Sequence, residues 1–83
     1  MTSTNPVGKN YPLTLLYDAE INFRIRSHNY ATACRRYEEL IQKNASEQLL
    51  VLILNIMQDI HDLKVKAKDD WTFWKEYVGL LQN

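Results

Sequence analysis

Glycine and proline are almost missing from this chain, with two of each in 83 residues. Pro6, Gly8 and Pro12 lie in or beside the first ten residues, so Gly79 alone stands further along. A phosphate cradle needs glycines at a helix entrance, and none is available. Cys34 is the only cysteine, which excludes a disulfide framework and fits a reducing, cytoplasmic setting. Neither sign of charge is in excess, with ten basic and ten acidic residues. No global field therefore draws the protein to nucleic acid or to an anionic membrane. Long apolar runs are absent too. The longest, Leu49 to Leu54, ends at Asn55, far short of the roughly 20 residues that span a bilayer. The polar start, Met1 to Asn10, carries no signal-peptide pattern, so Asn44-Ala45-Ser46 reads as a helix start instead of a glycosylation site.

Clustered metal ligands are also lacking. His28, Cys34 and His61 are scattered, without the spacings that hold zinc or calcium, and neither metal nor cofactor is expected. Cys34 falls on an apolar helix face, where a buried, inert thiol is expected, and His61 falls at a boundary. The acidic pairs Glu38-Glu39 and Asp59/Asp62 read as solvated faces, and Asp69-Asp70 as a helix cap. Splitting the pKa values of two carboxylates takes a sheltered cleft that so small a domain rarely builds. No catalytic residue and no small-molecule substrate is expected.

What is present is helical periodicity, with no strand-like alternation. After a flexible arm, 1–10, a single domain, 11–83, is expected to form an all-α antiparallel bundle of three to four helices: about 11–26, 30–43, 46–66 and 70–82. Pro12 is tolerated in the first turn. Ser27-His28-Asn29 breaks the pattern and offers caps for the second helix, where Tyr30, Ala33, Cys34, Tyr37, Leu40 and Ile41 share one face. Glu39 and Lys43 are spaced for an ion pair worth about 0.3 kcal/mol. Asn44 or Ser46 caps the third helix, and Asn44 with Glu47 has capping-box spacing. That helix carries a stripe of Leu49, Leu52, Ile53, Ile56, Ile60 and Leu63, widened by Leu50, Leu54 and Met57. The last helix holds Trp71, Phe73, Trp74 and Tyr77 within seven residues.

Residues 13–43 resemble one unit of a tetratricopeptide repeat. Ala33-x-x-x-Tyr37 supplies the small residue and following aromatic of that family's second helix, and Tyr30 its aromatic at the turn. Leu16, Ala19 and Phe23 keep the first-helix spacing. Glu20 stands where a glycine is usual, Ala45 replaces the terminal proline, and no second copy follows. The resemblance implies a helical hairpin and peptide or protein binding in a concave groove, with no binding residues assigned.

Two functions follow as expectations. The first is a non-enzymatic protein–protein interaction module, an adaptor, dedicated chaperone or inhibitor. It would bind a partner protein or form a homodimer, because the apolar faces exceed what one small chain can bury. Tryptophan and tyrosine are enriched in interface hot spots, which points to Trp71, Trp74, Tyr77, Val78 and Leu81 as the partner-binding residues. The alternative is a small helical DNA-binding regulator, in which folding gathers Arg24, Arg26, Arg35 and Arg36 into a basic patch near His28. Glu38 and Glu39 beside those arginines and the neutral net charge weigh against it.

Overall fold

The computed structural model describes residues 11–82; the expected arm, 1–10, and Asn83 lie outside the described residues. Two long helices make up the fold, α1 (Tyr11–Gln42) and α2 (Glu47–Gln82), folded back on each other as an antiparallel hairpin. At 1.5 Å per residue they run about 48 and 54 Å. The expected division into three to four helices is corrected to two, because neither expected inner break forms. Helix continues through Ser27-His28-Asn29 and through Asp69-Asp70. The tetratricopeptide turn implied before Tyr30 is likewise absent.

The inner breaks fail for a shared reason. Polar residues such as Ser, Asn and Asp cost only about 0.5–0.7 kcal/mol each inside a helix, and no glycine or proline adds to that. Against this small cost stands an unbroken packing seam. In α1, Leu16, Ala19, Phe23, Arg26, Tyr30, Ala33, Tyr37 and Leu40 are buried or half-buried at alternating steps of three and four. In α2 the same steps link Leu50, Ile53, Met57, Ile60, Lys64, Ala67, Trp71, Trp74 and Val78. This is the 3.5-residue repeat of a coiled coil. A break at 27–29 or 69–70 would throw every later residue out of phase with the opposite helix.

The turn that does form is built from both ends. Asn44 adopts a left-handed conformation, φ 57°, which asparagine tolerates better than most residues. Its N–H donates to the Ile41 carbonyl at 3.1 Å and that of Ala45 to the Leu40 carbonyl at 2.9 Å, a Schellman pair that satisfies the last carbonyls of α1. Ser46 then caps α2, its Oγ accepting from the Leu49 N–H at 3.2 Å. Asn44 therefore ends the first helix, and the Asn44–Glu47 capping box is corrected to a Ser46 cap. Ser46→Ala is expected to lower stability by about 1 kcal/mol in urea unfolding. The Glu39–Lys43 ion pair does not form; among the described residues Glu20 instead pairs with Arg24, at 2.6 Å.

Ser27 sits beside the seam with its Oγ buried and without a hydrogen-bond partner. A buried unsatisfied hydroxyl lowers stability, and alanine is the better helix former. Ser27→Ala is expected to raise stability by about 0.5–1 kcal/mol, read as a higher urea midpoint at unchanged slope.

The hairpin is one layer thick. Its extents are 58 × 29 × 14 Å, and its radius of gyration is 18.5 Å against about 12 Å for a compact chain of this length. Domains normally bury their apolar faces between two packed layers. Among the described residues only Ala19, Ala33, Ala67 and Val78 are buried, and none of them is large.

Candidate interaction surface

The seam consumes part of the aromatic cluster. Trp71 stacks on Phe23 across the hairpin, ring centroids 5.4 Å apart and planes 28° from parallel. The Lys75 ammonium lies 4.5 Å from the centre of the Trp71 ring, a cation–π contact. Trp74 meets Phe73 and Tyr77 edge-on, at 5.0 and 5.5 Å. Of the five expected partner-binding residues, Val78 is buried and Trp71 and Trp74 are half-buried in the seam. Tyr77 and Leu81 are exposed.

A longer line of exposed apolar residues, Tyr77 among them, runs along α2. On one side of the seam, a single stripe of α2 runs Leu49, Leu52, Ile56, Asp59, Leu63, Lys66, Asp70, Phe73, Tyr77, Leu80, again in steps of three and four, and every member is exposed. Leu52 is 56% exposed, Phe73 57% and Leu80 73%. At its C-terminal end the stripe meets α1 in a shallow groove of about 270 Å³ lined by Tyr11, Pro12, Leu15, Phe73, Trp74 and Tyr77. At mid-length it becomes polar, opening a groove of about 500 Å³ that Asn22, Arg26, Leu63, Lys66, Asp69 and Asp70 line. The wide apolar arc from Leu49 to Leu63 is the sequence signal for this stripe, and the heptad phase decides which of its residues stay outside.

The other side of the seam is more mixed. Tyr30, Leu54, Met57, Gln58 and His61 line a groove of about 260 Å³. The His61 ring tilts against Tyr30 at 5.5 Å, and the Lys64 ammonium stands 5.1 Å from the same ring, which gives this charged seam position an aromatic contact. His61 itself is exposed and Cys34 is half-buried, so the thiol expected to be buried is only partly so. Its hydrogen bond with Cys34 holds the Tyr30 hydroxyl above its ordinary pKa, with the Cys34 charge and burial adding to the rise. Among the described residues no group of His, Cys, Asp and Glu is placed to hold a metal ion.

The four arginines are not gathered. Because α1 is continuous, Arg26 and Arg35 are about 13 Å apart along it, and Arg26 points some 160° away from Arg24. Arg24 is engaged by Glu20, Arg35 donates to the Thr32 hydroxyl at 3.3 Å, Arg26 faces the polar groove and Arg36 is exposed. Arg24 and Arg35 project within about 20° of each other but three turns, about 16 Å, apart, while Arg26 and Arg36 project in other directions. Among the described residues, no helix is long and apolar enough to cross a membrane.

No protein-family model matches the chain, and no curated protein sequence or solved structure resembles it significantly.

Proposed function

We propose that this protein is a non-enzymatic interaction module whose α2 stripe is completed by another protein surface. One observation carries the reading: among the described residues the one-layer hairpin buries four small side chains while leaving Leu49, Leu52, Ile56 and Leu63 and, beyond a charged middle, Phe73, Tyr77 and Leu80 in water. Contiguous exposed apolar surface beyond a few hundred Å² is unusual on a soluble monomer and marks a contact surface. Adaptor, dedicated chaperone and inhibitor all describe such a module. The DNA-binding alternative has weaker support, because it needs Arg24, Arg26, Arg35 and Arg36 on one face, whereas only Arg24 and Arg35 share a direction and they stand three turns apart.

Ile56→Glu with Phe73→Glu tests the proposal. Both side chains lie outside the seam, so helix content by circular dichroism is expected to stay at the wild-type level. Any assembly heavier than one 9.8 kDa chain, measured by light scattering, is expected to be lost. Unfolding of the variant would show that the stripe is core. Unchanged assembly would show that it is not the contact surface.

A further inference from the structure

We infer that the occupant of the α2 stripe is a second copy of this chain, packed α2 against α2 in antiparallel orientation about a two-fold axis beside residue 68. The inference rests on the interaction reading above and adds the partner and its register.

The stripe is self-complementary about that axis. A two-fold interface brings residue i against j and j against i. Reversing the three-and-four spacing about position 68 sets Lys66 against Asp70 of the second copy, Leu63 against Phe73, Ile56 against Leu80 and Asp59 against Tyr77. Opposite charges meet, apolar residues meet apolar ones, and the Tyr77 hydroxyl is placed to donate to the Asp59 carboxylate. Lys66, Asp59 and Asp70 make no ion pair among the described residues, so these charges are available. An axis one step away, between residues 64 and 65, overlaps the helices further but sets Asp59 against Asp70 and Leu63 against Lys66. Like charges opposed across an interface are costly, so the polar middle selects the register.

Size and charge agree with this pairing. Overlap of residues 54–82 is about 44 Å long, and two helices 8–10 Å apart present a face about 20 Å wide. With α1 taking part beside α2 the contact is about 900 Å² per copy, near the 800 Å² per partner of a stable interface, and Arg26 of α1 then lies beside the axis with Lys66 and Asp70. Formal net charge is zero, so the copies do not repel each other as a whole. The product is a four-helix bundle with loops at opposite ends and two packed layers.

Charge exchange provides the test. Sedimentation equilibrium of the full chain should give a dimer. Lys66→Asp and Asp70→Lys, each alone, oppose two like-charged pairs and should weaken dimerisation by at least about tenfold. Mixed in equal amounts, the two variants should pair with each other, because both contacts then join opposite charges. Pairing in the mixture would not follow from an effect within one helix, since neither chain alone restores its own Lys66–Asp70 spacing. Dimers of the single variants as tight as wild type, or no recovery on mixing, would overturn the register. A wild-type chain that is helical and monomeric would overturn the self-association. If that monomer binds an apolar dye and Ile56→Glu with Phe73→Glu abolishes the binding, the interaction reading stands without the second copy; if no dye binds, both fail.

Discussion

Trp71→Ala is expected to remove about 3 kcal/mol of stability, the largest loss from any single truncation in the hairpin. Trp71 is the only tryptophan stacked across the seam, and its partner Phe23 would lose the ring that covers it. Whole domains are stable by only about 5–15 kcal/mol, and a core of four small buried residues places this one near the lower end. A loss of that size should appear as a fall in the urea midpoint. Phe73→Ala, at an exposed position whose ring contacts are with its own-helix neighbours Trp74 and Tyr77, should cost the folded hairpin far less. The contrast between the two aromatics separates seam from surface within a single turn of helix.

The second large effect is expected from Ala19→Leu. Ala19 is 5% exposed on the seam. The Phe23–Trp71 and Tyr30–Lys64 contacts fix an antiparallel register in which facing residue numbers sum to about 94. Ala19 therefore lies opposite Trp74 and Lys75. A leucine there has no volume to occupy beside the indole, and overpacking of this kind costs about 1–3 kcal/mol. The expected result is a lower thermal midpoint, with partial recovery when Trp74→Leu is added. Equal stability of Ala19→Leu and wild type would mean that the helices are further apart at this level than the burial of Ala19 indicates.

Helical class and the main turn were legible in the residues. Asn44 and Ser46 mark the turn by chemistry that works only at helix ends, a left-handed residue and a side-chain cap. Ser27-His28-Asn29 and Asp69-Asp70 use similar side chains and end nothing. Their difference lies in what surrounds them: Phe23, Arg26, Tyr30 and Ala33 keep the heptad phase across the first, and Ala67, Trp71 and Trp74 keep it across the second. Local capping preferences of about 1 kcal/mol yield to a seam that must stay in register. An excess of apolar surface was also legible, from the arc of Leu49 to Leu63 and the aromatic cluster after it. Its exact address was not, because three- or four-helix packing and two-helix packing cover different arcs of the same helix. With only one neighbour, α2 buries Val78, half-buries Trp71 and Trp74, and leaves Leu52, Ile56 and Phe73 outside.

Association through the α2 stripe is expected to add stability to a hairpin that is already helical as a single chain. Thermal unfolding followed over a hundredfold range of protein concentration tests it most directly. Unfolding coupled to dissociation makes the midpoint depend on concentration, and a rise of several degrees from the most dilute to the most concentrated sample is the result expected. A midpoint that stays constant over that range, with a mass of one chain throughout, would contradict it.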